Sequence, residues 1–372
     1  MTWLLGLTVF WLAWANGAND NFKGVATLYG SGALGYRAAL WLATGMTLAG
    51  SLVSIALARG LTQTFSGKGL APDDLLRDPS LLFAVGAGAA VTILLATRLG
   101  MPASTTHALV GALAGVALVA GHGHADFGKL WDSFFKPLIL SPVLSMGGAA
   151  VLYRVFRGAR LAMRVGGETC VCVGSDAVAA APYCSPSQSV ASAGLRGAPS
   201  MMVGERRECV ARFGGRAEGL SVQSIVKGAH LLSGGAVCFA RAVNDTPKIA
   251  ALLLATGAPA IGWKLAPVAL AMSVGGLLQA RRVAETMSRR ITELNPGQGL
   301  TANLVTALLV LGASRLGVPV STTHVSCGAI FGIGAARRSL RWMALLQIGI
   351  TWLTTLPMGA AVAAGLYWGL AG

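Results

Sequence analysis

The chain has 372 residues, 54% of them hydrophobic and only 12% charged, with a mean hydropathy of +0.64. That is too apolar for an ordinary soluble globule and reads as an integral membrane protein. The formal net charge of +15 invites a nucleic-acid partner, but the arginines gather at or between apolar stretches (Arg154, Arg157, Arg160 and Arg164; Arg281, Arg282, Arg289 and Arg290; Arg337, Arg338 and Arg341), which is a topology signal; no nucleic acid is expected.

Apolar windows near the roughly 20 residues that cross a bilayer occur at 3–18, 38–58, 80–97, 134–152, 262–280 and 342–370. The first has no basic flank and no cleavage site, so it is expected to be a retained span rather than a signal peptide. It runs into Asn16-Gly17-Ala18-Asn19-Asp20-Asn21-Phe22-Lys23-Gly24 and resumes over 25–31. A counterpart follows later, where Ala240-Arg241-Ala242-Val243-Asn244-Asp245-Thr246-Pro247-Lys248 interrupts a second apolar run. Both share Asn-Asp-x-x-Lys. Pro247 suits the first turn of a helix capped by Asp245 or Thr246, so the second copy predicts a break between two half-helices, and the first copy is read the same way.

A second duplication is closer still. Arg98-Leu99-Gly100-Met101-Pro102-Ala103-Ser104-Thr105-Thr106-His107 returns as Arg315-Leu316-Gly317-Val318-Pro319-Val320-Ser321-Thr322-Thr323-His324, with eight of ten positions matching. After a Gly-x-Pro break, Ser104 or Thr105 can cap a new helix whose free amides carry the positive dipole end. Such a terminus, with extra hydroxyl donors, is a site for phosphate or a similar oxyanion. A single copy is explained by an N-cap alone; two copies at corresponding places point to one shared polar pocket. Each tip belongs to two full crossings or to a re-entrant hairpin, and the sequence leaves both open.

From Asp20 to Ser104 is 84 residues and from Asp245 to Ser321 is 76. The chain is therefore read as a first transmembrane repeat over 1–157, a basic insert over 158–225 and a second, inverted repeat over 226–372. The fold class is an all-α polytopic bundle with interrupted helices. Holding the basic loops inside places both termini outside and the insert in the cytoplasm of a bacterial inner membrane. Abundant Ala, Gly and Arg beside only seven Lys point to a GC-rich bacterial genome. The insert shows strand-like runs at 169–173 and 209–213 and is otherwise a linker. Cys170, Cys172, Cys184 and Cys209 fall there, in a reducing compartment, so no disulfide framework and no metal site are expected.

Asp20 with Lys23 and Asp245 with Lys248 stand at i and i+3, facing each other on a helical turn. They are either self-neutralising pairs or part of a transport site; buried pairs contribute little net stability, which favours the second. Counting Arg98 and Arg315 with the two lysines, and Arg241 besides, makes the pocket net positive and able to hold a dianion, unless those two arginines snorkel to a membrane face. His107 and His324 are packing residues or proton carriers. His122 and His124 are expected in a solvated loop, and His230 has no duplicate and no assigned role.

With these residues in hand, the chain resembles the inorganic phosphate transporter (PiT) family of secondary carriers. The resemblance rests on Gly17-Ala18-Asn19-Asp20, Gly30-Ser31-Gly32, Asn244-Asp245 and both Pro-x-Ser-Thr-Thr-His repeats, and spans both halves but not the insert. It implies an inverted-repeat carrier driven by sodium or protons, with sulfate permeases among its relatives. By that resemblance Ser104, Thr105, Thr106, Ser321, Thr322 and Thr323 bind the oxyanion, while Asn19, Asp20, Asn244 and Asp245 hold the coupling ion or order the site; the net positive charge of the pocket adds Lys23 and Lys248 to the oxyanion-binding residues. The family motif commonly reads Asn-Asp-Val-Ala-Asn; here Lys23 and Lys248 stand at its last position. An ammonium is a donor only and cannot ligate sodium, but it can take a cation's place beside the aspartate.

The expected function is thus ion-coupled import of inorganic phosphate by alternating access, with a sulfate or other tetrahedral-oxyanion permease as the alternative. No cofactor beyond a proton or sodium ion is expected. The partners are phosphate and membrane lipid, with a homo-oligomer open. An intramembrane hydrolase using Ser104 or Ser321 with a neighbouring His, and an anion sensor signalling through the insert, are the rivals; duplicated Ser-Thr-Thr-His fits a symmetric pocket better than one nucleophile.

Overall fold

Prolines, asparagines and glycines at the ends of apolar runs set the helix boundaries. A computed structural model of the chain describes residues 2–65, 78–120, 127–175, 199–213, 218–254 and 265–371. The chain forms two compact units, residues 1–154 with 230–372, and residues 155–229. The first half opens with α1 (Thr2–Asp20), which breaks at the Asn-Asp motif. Tight i to i+3 bonds, Lys23 N–H to the Asp20 carbonyl (3.1 Å) and Val25 N–H to that of Phe22 (3.2 Å), carry the chain into α2 (Ala26–Gly30). Next come α3 (Tyr36–Leu57), α4 (Arg59–Thr64) and α5 (Pro79–Arg98). Asp78 caps α5 by accepting from Ser80 N–H, and Pro79 fills its first turn. Then follow α6 (Thr105–Ala120), α7 (Phe127–Leu130), a π-helical turn (Trp131–Phe135) and α8 (Lys136–Ala162).

The smaller unit is an antiparallel sheet of β1 (Thr169–Ser175), β2 (Pro199–Glu205) and β3 (Glu218–Ser221), with β1 central, plus α9 (Arg206–Arg212). Two expectations fail here. The run 209–213 is not a strand: Glu205 and Glu208 form a reciprocal capping box that starts a helix through it. Nor are the cysteines all free, because α9 lies against the sheet and brings Cys209 to Cys172, where the two are bonded with Cα atoms 6.1 Å apart. Cys184, most of the linker-like stretch, His122 and His124 lie outside the described residues.

The second half has α10 (Val222–Leu254), α11 (Leu265–Gln279), α12 (Arg281–Glu285), a π-helical turn (Thr286–Arg290), α13 (Pro296–Arg315), α14 (Thr322–Ala336) and α15 (Trp342–Ala371). Asn295 and Gln298 form the capping box of α13. The break predicted at the second Asn-Asp copy is absent: α10 runs unbroken through Asn244, Asp245 and Pro247. The reason is where the capping side chains go. Asp245 bonds Asn244 and Lys248, and Thr246 donates to Ser51 Oγ on α3 (2.9 Å), so neither turns back to start a new helix. Of the two copies, the one without proline is the one that interrupts its helix.

Segments 79–98, 128–162, 296–315 and 342–371 are long and apolar enough to cross a membrane; 105–120 and 265–279 are apolar but shorter. The halves interleave. α1 crosses α11 with Gly17 against the Met272 carbonyl and Gly275 against that of Trp14. In the tip hairpins, Gly111 and Gly115 of α6 lie against backbone of α15, and Gly328 and Gly332 of α14 lie against α8. The two pairs are the same Gly-x-x-x-Gly spacing in each repeat, the device by which helices approach closely where no water drives association. An added Cβ would stand 2.1 Å from the Leu356 carbonyl oxygen at Gly111 and 2.1 Å from that of Met146 at Gly332. Backbone cannot move aside as a side chain can. Gly111→Ala and Gly332→Ala are each expected to lower stability by about 1–3 kcal/mol, seen as a lower Tm in detergent, whereas Gly147→Ala, with nothing within 4 Å, leaves Tm unchanged or higher.

Candidate functional site

The repeated decapeptide is a helix stop followed by a helix start. α5 ends in a left-handed glycine, Gly100 (φ 71°), whose N–H bonds the Thr97 carbonyl while Met101 N–H bonds that of Ala96. α13 ends likewise at Gly317 (φ 69°), with Gly317 N–H to Ser314 and Val318 N–H to Ala313. This is the Schellman closure, which glycine adopts without a Cβ penalty. The proline then forbids continuation. Ser104 Oγ accepts from His107 N–H (3.1 Å) and Ser321 Oγ from His324 N–H (3.3 Å), so each serine caps the following helix.

Both tips are buried and meet. Lys23 Nζ bonds Asp20, the Ala103 carbonyl of the first tip (2.8 Å) and Thr323 Oγ1 of the second. Lys248 Nζ mirrors it, bonding the Val320 carbonyl of the second tip (2.7 Å) and Thr106 Oγ1 of the first (2.8 Å), with Asp245 Oδ1 at 3.5 Å. Thr323 Oγ1 also donates to the Ala103 carbonyl (2.6 Å) and Thr106 Oγ1 to that of Val320 (3.3 Å). Each ammonium thus sits among a carboxylate, a peptide carbonyl and a threonine hydroxyl, and each ties one tip to the other.

The asparagines fix the tips to the Asn-Asp segments. Asn19 accepts from Ala103 N–H (3.0 Å) and donates to Thr97 Oγ1 and the Met101 carbonyl. Asn244 accepts from Ser314 Oγ (3.2 Å) and donates to Asp245 and to the Val320 carbonyl. Asn16 Nδ2 lies within 3.2 Å of both Asp20 and Asp245 and 3.0 Å from Thr105 Oγ1, joining the two carboxylates across the interface of the repeats. Its Oδ1 accepts from Arg241 Nη1 (3.0 Å), whose Nη2 donates to Thr47 Oγ1 (2.7 Å).

All twelve oxyanion, lysine and Asn-Asp positions read from the sequence lie in this one buried cluster. Thr322 lies at the start of α14, buried like its neighbours. Arg98 and Arg315 do not join it; both are exposed at the ends of α5 and α13. The buried charge is therefore three cations, Lys23, Lys248 and Arg241, against two aspartates, one positive charge in all. Sequence reasoning missed Asn16, Thr97 and Ser314. The signals were present: Asn16 and Arg241 stand three residues before Asn19 and Asn244, and Thr97 and Ser314 directly precede the duplicated arginines.

His107 and His324 meet edge to face with ring centroids 4.4 Å apart, and His324 lies against Trp352. Their Nδ1 atoms face the carbonyls of Trp352 (3.0 Å) and Leu138 (3.3 Å), which only accept, so both Nδ1 atoms are donors. Neither ring is hydrogen-bonded to Ser104 or Ser321, whose Oγ atoms accept from the backbone amides of His107 and His324. Elsewhere His230 Nε2 pairs with Thr27 Oγ1, which donates to Asn303. Among the described residues no group of three or more His, Cys, Asp or Glu side chains could hold a metal ion.

The sequence profile described as the phosphate transporter family matches residues 16–363. The chain is 30% identical to the chloroplastic inorganic phosphate transporter 2-1 of Arabidopsis thaliana, over 96% of this chain and 70% of that protein. A Thermococcus kodakarensis protein whose name includes phosphate permease is 29% identical over 98% of this chain and 97% of its own. A solved structure titled the sodium-dependent phosphate transporter shares the fold, with a TM-score of 0.77 and 24% identity over 100% of this chain and 98% of that one. With the duplicated tips, the paired Asn-Asp segments and a profile match that takes in both repeats, the chain belongs to the phosphate transporter family.

Proposed function

We propose that this membrane protein is a secondary carrier that moves inorganic phosphate by alternating access, and that its two lysines hold the places coupling cations occupy in sodium-driven relatives. The observation that carries this reading is the pair of ammonium cradles. A carboxylate, a peptide carbonyl and a threonine hydroxyl make a hard-oxygen set of the kind that binds sodium, yet here the set is filled by Lys23 Nζ and again by Lys248 Nζ. Phosphate is read as binding between the tips, where the positive charge of the cluster lies beside the N-terminal ends of α6 and α14.

The buried charge sharpens the choice of ion. A site with one net positive charge is neutralised by the monoanion of phosphate, whereas the dianion leaves a negative charge out of water unless it brings a proton with it. This revises the dianion expected when Arg98 and Arg315 were counted; a dianion would have to bring one monovalent cation, and the lysine-filled cradles favour a proton over sodium for that part. The histidine pair is read as packing, because the two rings lie edge to face and His324 lies against Trp352, with each Nδ1 held by a carbonyl.

In proteoliposomes, wild-type uptake of labelled phosphate is expected to persist in sodium-free buffer and to rise as external pH falls through the second ionisation of phosphate. Strict loss of transport without sodium contradicts the proposal. Lys23→Asn combined with Lys248→Asn is expected to turn the same uptake sodium-dependent. Thr106→Val and Thr323→Val each remove a hydroxyl from an ammonium and from the opposite tip, and are expected to reduce uptake about ten- to hundred-fold. Unlabelled sulfate that competes equally with labelled phosphate would shift the substrate to oxyanions at large.

A further inference from the structure

Arg98, exposed and outside the buried cluster, lines a cavity of about 710 Å³ with Thr97, Gln279, Arg281, Arg282 and Glu285. Three guanidiniums face it against one carboxylate. Arg281 Nε and Glu285 stand 3.3 Å apart with side chains 79% and 49% exposed, a pair too solvated to contribute much to the fold. Arg282 Nη1 donates to the Arg98 carbonyl (2.6 Å) at the C-terminus of α5, which fixes its guanidinium at the rim. On the inner side is Thr97, buried, whose hydroxyl accepts from Asn19 Nδ2 (2.9 Å). The cavity therefore stops one hydrogen bond short of the first Asn-Asp segment.

The repeat supplies an internal control. Ala280-Arg281-Arg282 to Thr286 corresponds to Ala58-Arg59-Gly60 to Thr64. Thr64 Oγ1 back-bonds the Gly60 carbonyl (3.1 Å) as Thr286 Oγ1 does that of Arg282 (3.3 Å). Gly60 lies against Gly317 and Arg282 against Gly100, the left-handed glycines of the two tips. The fold asks for no more than a glycine at this position, as Gly60 shows. Arginine stands there in one repeat only, and Glu285 replaces what is Gln63 in the other.

We propose that this cavity is an access station for phosphate on one face of the protein, where Arg98, Arg281 and Arg282 hold the anion on its route past Thr97 and Asn19 between that face and the buried site. The station takes from the proposed function only that phosphate is the cargo. A guanidinium fork matches a tetrahedral oxyanion, and a cleft lined by one sign of charge raises the local concentration of the opposite sign. A phospholipid headgroup offers the same phosphate chemistry, and the test separates the two sources.

The experiment uses the full chain in liposomes, with labelled-phosphate flux measured from each face separately for wild type, Arg282→Gly and Arg281→Gln. Arg282→Gly installs the residue the fold already uses at the related position, and Arg281→Gln alters a solvated side chain, so at least one variant folds. The KM from the α12 face is expected to rise about ten-fold, and its dependence on added potassium chloride to flatten, while the KM from the opposite face moves less than about two-fold. An equal rise on both faces, or on neither, overturns the station. Repeating the assay in phosphatidylcholine alone and with added phosphatidylglycerol settles the source: the same shift in both supports free phosphate, and a shift only with the anionic lipid overturns it in favour of a headgroup. A wild type inactive with phosphate removes both readings; an active one with symmetric shifts removes this one alone.

Discussion

Two lysine ammoniums hold the centre of this protein together, and the rest of the fold is arranged to bring their acceptors within reach. Lys23 and Lys248 are each at most 2% exposed, so each charge needs every hydrogen bond it makes. Because the acceptors of each come from both tips, the ammoniums close the interface between the repeats as well as neutralising their own aspartates. Removing one partner would strand a buried charge, an effect of about 3–5 kcal/mol for a broken buried pair. A contact with that consequence cannot be ornamental, and a pure stability role would be served as well by apolar side chains of similar volume.

The tips can meet only if helices approach more closely than ordinary side chains allow. The glycine pairs on α6 and α14 and the crossing of α1 with α11 provide that approach, and the Schellman closures at Gly100 and Gly317 then turn the chain within a few residues. Pro102 and Pro319 prevent the helix from running on, and Ser104 and Ser321 start the next one. Local chemistry thus delivers two helix N-termini into one polar cluster, with the serines capping their own helices and Thr106 and Thr323 turned to the ammoniums. The division of labour within Ser-Thr-Thr follows from position: the first hydroxyl belongs to its own helix, and the third reaches the other repeat.

Much of this was legible in the residues. The doubled decapeptide pointed to two helix starts sharing one polar cluster, though not to whether each tip turns a hairpin or joins two full crossings, and the Asn-Asp-x-x-Lys copies pointed to the pairs that meet them. What was not legible depended on tertiary partners. Pro247 predicted a break that did not form, because the side chains of Asp245 and Thr246 were claimed by other groups. Arg98 and Arg315 looked like pocket charges until the helix ends carrying them were seen to be exposed. The capping box at Glu205 and Glu208 overrode a β-rich composition at 209–213, and the bond between Cys172 and Cys209 needed a sheet and helix that spacing alone does not specify.

The two repeats are alike where they must pack and unlike at two positions that set charge. Serine caps, left-handed glycines, Gly-x-x-x-Gly pairs and lysine cradles all come twice. Asn16 faces Arg241 at equivalent positions, so the buried cluster carries an odd positive charge that a perfectly symmetric pair could not have: two copies of either residue give zero or two, never one. Gly60 faces Arg282 in the same sense, so one tip is covered by a bare glycine and the other by a guanidinium beside a cationic cavity. A symmetric scaffold would present the same approach to both sides of a membrane, and this one does not. The residues that break the repeat therefore set the net charge of the cluster and the character of the surface beside one tip, the first inside the cluster and the second at its approach.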